Sequence, residues 1–303
     1  MTSKVSLDIR IANYISRRLN GYIAKKWEKK AALAKEKWLG SFHGKASMVF
    51  KLEEDLAINL YADSLLSKLI FEGFETDEID FLNSYLVNGD SFLDIGANVG
   101  LFSLYAAKRV GKEGLVISFE PSRKTYERLV ENCELNKLEN IKTAKLGLAD
   151  KEDQLELNIS SDGHEAWNTF VKSDDSKFSS TEMVTVKPLD GFLRENAVDT
   201  DKISLIKLDV EGFEINVLKG ATALLSKKNA PTFMVEFTDD NANAAGHCCH
   251  EIYTILVDHG YTWFTYDYLS KKLIREKMRV NYPYNNLIAV KDPGINQRVA
   301  KFL

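Results

Sequence analysis

One turn constrains the fold of this chain more than any other segment. It is Asp94-Ile95-Gly96-Ala97-Asn98-Val99-Gly100, which connects an apolar strand to a helix, and the next apolar strand ends in Glu120, 26 positions after Asp94. Glycines at such a turn allow a tight bend, close approach of the backbone to a ligand and close packing of helix on strand. A carboxylate at the tip of the second strand can accept hydrogen bonds from both ribose hydroxyls. The pattern therefore predicts a Rossmann-like half-domain that binds a nucleoside cofactor.

The residues of this turn also indicate which cofactor. A dinucleotide site places a pyrophosphate at the helix N-terminus and requires three spaced glycines. Here Asn98 replaces the middle glycine and Ser103 the last, and Asp94 stands where it would repel a pyrophosphate. It would attract a cofactor with a cationic amino-acid end. We therefore expect S-adenosylmethionine, whose ammonium and sulfonium groups are positive.

Composition excludes several classes of protein. The chain has 303 residues, 45% hydrophobic and 28% charged, with a net charge of −4. These values are typical of a globular protein and lack the basic excess of a nucleic-acid-binding protein, so we expect no nucleic-acid partner. Three cysteines favour a reducing, cytoplasmic compartment over a disulfide framework. No apolar run reaches the roughly 18 residues of a membrane span, and no apolar signal segment begins the chain.

Residues 1–45 are predicted to form a basic, amphipathic helical extension before a domain at 46–303. The first 40 residues hold ten lysine and arginine residues against three acids, a net charge of +7. An apolar side chain recurs every fourth residue from Ile11 to Trp27. The stripe is typical of a helix that packs on its own domain or on a second subunit in a homodimer. A peripheral contact with an anionic membrane is the alternative.

Alternating strands and helices from Ser91 onward predict a doubly wound α/β sheet. One long helix, Leu65–Tyr85, is expected before it, with Glu72, Glu75 and Glu78 on its exposed side. After Asp150 the pattern changes to an inserted antiparallel pair. We predict that the loop of this β-hairpin hangs over the cofactor side. The remaining predicted segments are the hairpin within Ala46–Leu60, the inserted strands Gln154–Ile159 and Met183–Lys187, the helices Glu214–Leu225 and His250–His259, and the closing strands Thr262–Tyr266 and Asn286–Val290.

Carboxylates end most of the predicted parallel strands. Asp94, Glu120, Asp209 and Glu236 stand at four such ends, and Glu211 follows Asp209 by two positions. Ligands of doubly wound sheets bind beyond these ends. Two closely spaced carboxylates are typical of a divalent-metal site or of a base that shares a proton. We predict a site without an obligatory metal, with Mg²⁺ held by Asp209, Glu211 or Glu236 as the alternative.

The segment His247–His250 and the residue Glu214 also carry side chains that could take part in chemistry. His247-Cys248-Cys249-His250 offers four ligand types in a row, but consecutive side chains diverge and cannot converge on one zinc ion. Glu214 lies within a predicted helix and is expected to cap it.

Two motifs together closely resemble the FkbM family of S-adenosylmethionine-dependent methyltransferases. They are FLDIGANVG at Phe92–Gly100 and IKLDVEGFEINVLKGA at Ile206–Ala221, supported by the lead-in Phe71–Leu86. The resemblance covers about residues 50–290. It implies a class I methyltransferase fold, with a seven-stranded sheet whose last strand is antiparallel, and O-methylation of a sugar or secondary metabolite. It also implies a set of cofactor-binding residues: Asp94, Gly96, Ala97, Asn98 and Gly100 for the methionine end, Glu120 for the ribose, and the turn Gly147-Leu148 beside the adenine.

The resemblance places Asp209 and Glu211 nearest the transferring methyl group. We predict that Asp209 or Glu211 removes the proton from the acceptor hydroxyl, with His164 as the alternative base and Trp167 able to stack on a ring. The predicted function is O-methylation of a hydroxyl on a sugar or glycoconjugate. The alternatives are a lipid-linked or polyketide-type acceptor at a membrane, or a cofactor-binding scaffold without activity.

Overall fold

A computed structural model describes residues 33, 35–160, 168–171, 178–294 and 296–303. The chain divides into two compact units, residues 1–48 and 49–303. In the first unit residues 35–41 are helical, and the rings of Trp38 and Phe42 pack edge to face, 4.6 Å apart. The predicted apolar stripe from Ile11 to Trp27 lies outside the described residues. Of the helices that are described, none has both the length and the hydropathy to cross a bilayer.

The elements of the structure alternate as predicted from Ser91 onward. The described strands are β1 (Ser47–Glu53), β2 (Leu56–Tyr61), β3 (Ser91–Ile95), β4 (Leu115–Phe119), β5 (Ile141–Ala144), β6 (Gly147–Leu148), β7 (Asp153–Ser160), β8 (Phe178–Lys187), β9 (Ile203–Leu208), β10 (Thr232–Phe237), β11 (Tyr261–Asp267), β12 (Lys272–Arg275) and β13 (Asn285–Lys291). The helices that follow residue 41 are α1 (Leu65–Glu72), α2 (Thr76–Tyr85), α3 (Leu101–Val110), α4 (Arg123–Leu135), α5 (Leu189–Glu195), α6 (Glu214–Lys219), α7 (Thr222–Leu225), α8 (Asp239–Ala244) and α9 (Cys249–Asp258).

The large sheet has the strand order of a class I methyltransferase. In the described part of the chain it contains eight strands, in the order β12-β11-β13-β10-β9-β3-β4-β5. Strands β5, β4, β3, β9 and β10 are parallel, and β13 runs antiparallel between β10 and β11. Seven strands therefore match the expected sheet. The eighth, β12, extends its edge by pairing antiparallel with β11.

Apolar layers cover both faces of this sheet. Neighbouring residues of a strand point to opposite faces, so Leu205 packs with α2 and α3 whereas Ile206 packs with α5, α6 and α9. All six residues of β10 are buried, as expected for a parallel strand covered on both sides. The carboxyl ends of the strands are thus the places where polar side chains of the sheet can converge.

The predicted single helix Leu65–Tyr85 is wrong, because the chain breaks it into α1 and α2. Gly73 ends α1 in the left-handed conformation, with φ of 91°, and Glu75 precedes α2 with φ of 52°. Of the three acids predicted to be exposed, only Glu72 is exposed. Glu75 and Glu78 are half-buried. The predicted helix Glu214–Leu225 is likewise two helices, α6 and α7.

The inserted hairpin forms its own small sheet, in the order β6-β8-β7. β7 and β8 are the predicted antiparallel pair. Gly147-Leu148, predicted as a turn, is the short strand β6, which pairs in parallel with β8 at Val186 and Lys187. The sequence also did not indicate helix α5 or strand β12, because both are short and lack a clear apolar period.

Candidate active site

A cavity of about 570 Å³ lies at the carboxyl ends of the parallel strands. Its polar lining comes largely from the strand ends and the turns that follow them. Its apolar lining comes mainly from α1, α3 and the inserted hairpin. The polar lining residues include Glu75, Asp94, Asn98, Lys207, Asp209, Glu211, Glu236, Asp240, Asn241 and Tyr284. The apolar lining residues include Leu66, Leu69, Phe74, Leu101, Phe102, Val171 and Phe178.

The glycine-rich turn lies against the acidic motif at the end of β9. Gly96 has φ of 84°, and a Cβ atom there would come within 1.8 Å of the carbonyl oxygen of Asp209. A Cβ at Gly100 would come within 2.6 Å of Leu129 Cδ1 on α4. Ala97 is buried and donates its backbone N–H to the carbonyl of Phe119. Two of the glycines are thus required by close contacts as well as by the tight bend.

Asp94 leaves a buried oxygen free for a ligand. Its Oδ2 accepts a 2.5 Å hydrogen bond from Ser103 Oγ, which also contacts Ser118 Oγ. Its Oδ1 has no partner among the described residues, and neither does Oδ1 of Asn98, although both atoms are buried. Unsatisfied buried acceptors are costly, so a donor is expected there. An ammonium group with three N–H donors fits this end of the cavity.

Glu120 is buried and is held by two backbone donors. Asn98 N–H donates to Oε2 at 3.0 Å, and Ser122 N–H donates to Oε1 at 2.9 Å. Burial raises the pKa of Glu120 to about 8, although both hydrogen bonds oppose the shift. These donors hold both carboxylate oxygens in place, and each oxygen keeps a second lone pair for a ribose hydroxyl.

A narrow second cavity of about 50 Å³ begins beside Glu120 and includes Gly147 and Leu148. Phe170 closes one side of it. A Cβ at Gly147 would meet the Phe170 ring at 2.8 Å, and that ring lies 5.0 Å from the ring of Phe213. Apolar and aromatic surfaces of this kind fit a planar base.

The acidic motif is organised by a buried lysine. Lys207 Nζ lies 2.6 Å from Asp209 Oδ2 and 4.7 Å from the centre of the Phe102 ring. Asp94 is the register partner of Lys207 on β3, so the two side chains leave the sheet on the same face. Burial lowers the pKa of Lys207, but Asp209, Glu75 and Asp94 outweigh it and raise that pKa. In turn, Lys207 lowers the pKa of Asp209 against the opposing effect of burial.

Three carboxylates meet beside this ion pair. Ligand atoms of Asp209, Glu211 and Glu236 lie within 4.8 Å of one another. Glu211 Oε2 accepts from Asn241 Nδ2 at 2.5 Å, and Glu236 Oε1 accepts from Thr238 Oγ1 at 3.0 Å. Burial and the neighbouring acids raise the pKa values of Glu211 and Glu236 well above the ordinary range. Mg²⁺ binds sets of carboxylate oxygens of this kind. Protons shared among the three carboxylates can also offset their negative charge.

The turn after Asp209 aims Glu211 into the cavity. Glu214 Oε1 accepts from the N–H groups of Val210 and Gly212, so Glu214 holds the turn before α6, whereas it was predicted to cap that helix. Glu211 itself is left-handed, with φ of 52°. Eight described residues other than glycine have a positive φ, and three of them line the cavity: Glu75, Asn98 and Glu211. Such backbone strain is concentrated at functional sites.

Several residues of the cavity were not predicted as site residues, among them Glu75, Lys207 and Tyr284. Glu75 Oε1 accepts a 3.0 Å hydrogen bond from the Tyr284 hydroxyl, and burial raises the pKa of Glu75 to about 7. Lys207 had a visible signal, because it is a charged residue within an apolar strand. Glu75 and Tyr284 are 209 positions apart, and no local pattern indicates their contact.

The two remaining predictions about histidines have different outcomes. His164 and Trp167 lie outside the described residues. His247 Nε2 contacts the carbonyl of Gly212 at 3.0 Å, and His250 Nε2 contacts that of Arg279 at 2.6 Å. The two rings therefore have separate backbone partners, and Cys249 is buried in the core.

Comparison with known proteins agrees with this architecture. The profile of the Methyltransferase FkbM domain matches residues 94–262. The chain is 30% identical over 190 residues to methyltransferase sdnD of Sordaria araneosa, covering 54% of this chain and 72% of sdnD. It is 26% identical over 155 residues to hexuronic acid methyltransferase AglP of Haloferax volcanii, covering 51% of this chain and 59% of AglP.

A crystal structure of methyltransferase FkbM from Methylobacillus flagellatus superimposes with a TM-score of 0.44 at 16% identity, over 68% of this chain and 47% of that one. The domain match spans more than half of the chain and includes both the glycine-rich turn and the acidic motif. This chain therefore belongs to the FkbM methyltransferase family and is an S-adenosylmethionine-dependent methyltransferase.

Proposed function

We propose that this enzyme methylates a hydroxyl oxygen on a sugar or glycoconjugate. The observation that carries the proposal is that a single cavity joins the cofactor turn, through Asp94 and Asn98, to the carboxylates Glu75, Asp209 and Glu211. A hydroxyl is a poor nucleophile until its proton is being removed, and removal contributes a factor of about 10²–10⁴. The carboxylates stand where that proton can be taken up.

Residues of the chain account for each part of the cofactor. We assign the amino-acid end to the free oxygens of Asp94 and Asn98, the ribose to Glu120, and the adenine to the narrow cavity beside Gly147 and Leu148. S-adenosylmethionine supplies a methyl group that its sulfonium centre already activates. The protein must mainly hold the acceptor oxygen in line with that methyl group.

We propose Glu75 as the group that takes the proton, in addition to the candidates from the sequence, Asp209, Glu211 and His164. Asp209 is a weak base because Lys207 stabilises its ionised form. Burial and the neighbouring acids raise the pKa of Glu211 well above the ordinary range and so favour its protonated form. Of the two carboxylate oxygens of Glu75, only Oε1 has hydrogen-bond partners among the described residues. These partners are Tyr284 and Asn286, so Oε2 remains available. A base is most effective when its pKa lies near the working pH, and that of Glu75 is about 7.

The mixed lining of the cavity favours an acceptor that has both a polar and an apolar part. A sugar hydroxyl would meet the acids, while Leu66, Leu69 and Phe74 would cover an apolar substituent. The similarity to a hexuronic acid methyltransferase supports a sugar. The same apolar lining residues support the second candidate, a hydroxyl of a lipid-linked or polyketide-type compound.

A screen with methyl-labelled S-adenosylmethionine tests the proposal. The acceptor panel pairs neutral glycosides with and without an alkyl aglycone, hexuronic acids, nucleotide sugars and hydroxylated apolar metabolites. We expect label in an alkali-stable ether on a neutral glycoside. Transfer only to apolar metabolites would select the second candidate. Transfer to a carboxylate, as an alkali-labile methyl ester, or to an amine would contradict methylation of a hydroxyl, and cofactor binding without transfer to any acceptor would favour a scaffold.

A further inference from the structure

The β11–β12 hairpin and the segment after it, residues 268–280, expose apolar side chains to solvent. Leu269, in the turn, is 88% exposed, and Val280 is 95% exposed. Ile274 and Met278, between them, are also exposed. Leu273 packs into the core beside Phe302, so the neighbouring Ile274 leaves the opposite face of β12. We call residues 268–280 the edge segment.

The edge segment is also basic, within a chain of net charge −4. It contains Lys271, Lys272, Arg275, Lys277 and Arg279, and Glu276 is its single acid. Arg279 engages Glu276 at 2.7 Å, and Lys271 engages Asp80 at 2.6 Å. Arg275 and Lys277 are exposed and have no ion-pair partner in the part of the chain that the structure describes.

Strand directions place the turn of this hairpin at the carboxyl edge of the sheet. β11 runs antiparallel to β13, which runs antiparallel to β10. The end of β11 therefore lies at the same edge of the sheet as the carboxyl ends of the parallel strands. Tyr284, which directly precedes β13, lines the cavity. Leu269 and the lysines beside it thus lie at the sheet edge that holds the cavity, whereas β12 runs back from that edge and places Arg275 opposite Phe264.

From these observations we infer that the edge segment docks the enzyme on an anionic membrane surface, with the carboxyl edge of the sheet near the bilayer. Protruding aliphatic side chains enter the interface while lysine and arginine contact the anionic head groups. Outside this segment and the basic residues 1–40 the chain is acidic, and the same surface repels that part of it. The inference goes beyond the proposed function, since it concerns where the enzyme meets its acceptor.

The combination of side chains distinguishes a membrane from other anionic partners. A nucleic acid would be bound through phosphates and aromatic stacking, and Leu269 and Val280 would find no partner there. A bilayer binds both the cations and the aliphatic groups, and it needs no shape complementarity.

Co-sedimentation of the full-length protein with vesicles tests the inference. The vesicles are phosphatidylcholine alone or phosphatidylcholine with roughly 30% phosphatidylserine, a composition that gives a strongly negative surface. We expect binding to the anionic vesicles. Arg275→Glu/Lys277→Glu should weaken it by about 25-fold or more, at about fivefold per cation, and Leu269→Ser/Val280→Ser by about tenfold.

Matched controls lie elsewhere in the same domain. Lys112→Glu/Lys142→Glu reverses two exposed cations, and Met183→Ser removes another exposed apolar side chain. Both should bind as wild type does. Equal binding by wild type and both edge variants, or no binding by wild type, would overturn the inference. Sensitivity to the charge reversal alone would also overturn it, since it would indicate a purely ionic partner.

Cofactor affinity distinguishes this result from failure of the proposed function. Calorimetric binding of S-adenosylmethionine, and methyl transfer to a soluble acceptor, should be unchanged in every edge variant. A dimer of the wild type that Leu269→Ser/Val280→Ser dissociates, with vesicle binding intact, would assign the surface to a second copy instead.

Discussion

Lys207 Nζ lies 2.6 Å from Asp209 Oδ2, and this ion pair sets the charge balance of the whole cavity. Six carboxylates line the cavity, and Lys207 is the one described cation among its lining residues. Asp209 therefore stays ionised, while burial and mutual repulsion raise the pKa values of Glu75, Glu211 and Glu236. The raised pKa values favour the protonated forms of these three acids, and the lowered pKa of Asp209 maintains a negative charge that can orient a cationic ligand.

Removing the cation should unbalance the core. Lys207→Met leaves the carboxylate of half-buried Asp209, 24% exposed, without its partner, so we expect a loss of about 3 kcal/mol in the free energy of unfolding, measured by urea denaturation at pH 7. Adding Asp209→Asn should restore part of that loss. The control is Lys227→Met, which breaks the more exposed pair with Asp201 and should cost at most about 1 kcal/mol. Equal effects of the two single changes would contradict a special role for Lys207.

Cofactor affinity should depend on Glu120. Glu120→Ala removes the carboxylate that we propose accepts from both ribose hydroxyls, and it removes the acceptor of the N–H groups of Asn98 and Ser122. Because each charged hydrogen bond contributes about 1.5–3 kcal/mol, calorimetry should show S-adenosylmethionine binding weakened at least 100-fold. The exposed acid Glu113 provides the control, and Glu113→Ala should bind normally. Undiminished binding by Glu120→Ala would disprove the ribose assignment.

Turnover should fall in variants of Glu75, Asp209 and Glu211 alike. Glu75→Gln should lower kcat by about 10²–10⁴ and leave cofactor affinity unchanged, because Oε1 still accepts from Tyr284 while the proton acceptor is lost. Asp209→Asn and Glu211→Gln should also bind the cofactor and lose turnover, through misplacement of the reacting groups. The readout is single-turnover methyl transfer with the acceptor from the screen. Wild-type turnover in both Asp209→Asn and Glu211→Gln would exclude the acidic motif from the chemistry.

Stability should vary with pH through Glu75. Its pKa is about 7 in the folded state against 4.5 ordinarily. Between these values the folded protein binds more protons than the unfolded chain, so this contribution to stability is present below pH 4.5 and is lost as the pH rises toward 7. Glu75→Gln stays neutral throughout. Its free energy of unfolding relative to wild type should therefore rise from pH 4.5 to pH 7, by up to about 3 kcal/mol, and then level off. A difference that is constant with pH would contradict the burial of an ionised Glu75.

Two glycines with the same backbone conformation should respond differently to alanine. Gly96 and Gly89 have φ of 84° and 87°, so alanine is strained by about 1–2 kcal/mol at either position. A Cβ at Gly89 meets open space, whereas one at Gly96 meets the carbonyl of Asp209. Gly96→Ala should therefore abolish cofactor binding and lower the unfolding midpoint well below that of Gly89→Ala. Similar unfolding midpoints would show that the contact is easily relieved.

The sequence predicted the residues of the site that lie directly at strand ends. Asp94 and Glu120 follow apolar runs, so their positions follow from the alternation of strands and helices. Glu75 was misplaced, because one long amphipathic helix fits its segment until the left-handed residues Gly73 and Glu75 divide it. Its contact with Tyr284 depends on the position of β13 in the sheet, which arises from tertiary packing. The same holds for β6, which becomes a strand only because β8 lies beside it.

The left-handed backbone at Glu75, Asn98 and Glu211 has a consequence for engineering. Glycine adopts this conformation without strain, which relieves about 1–2 kcal/mol at each position, although the greater freedom of glycine in the unfolded chain offsets about 0.4–1 kcal/mol of that gain. It would also delete the side chains on which, we propose, binding and chemistry depend. A selection for heat resistance alone should thus converge on glycine at these three sites and yield a sturdier but inactive protein, which makes them positions where stability and activity are opposed.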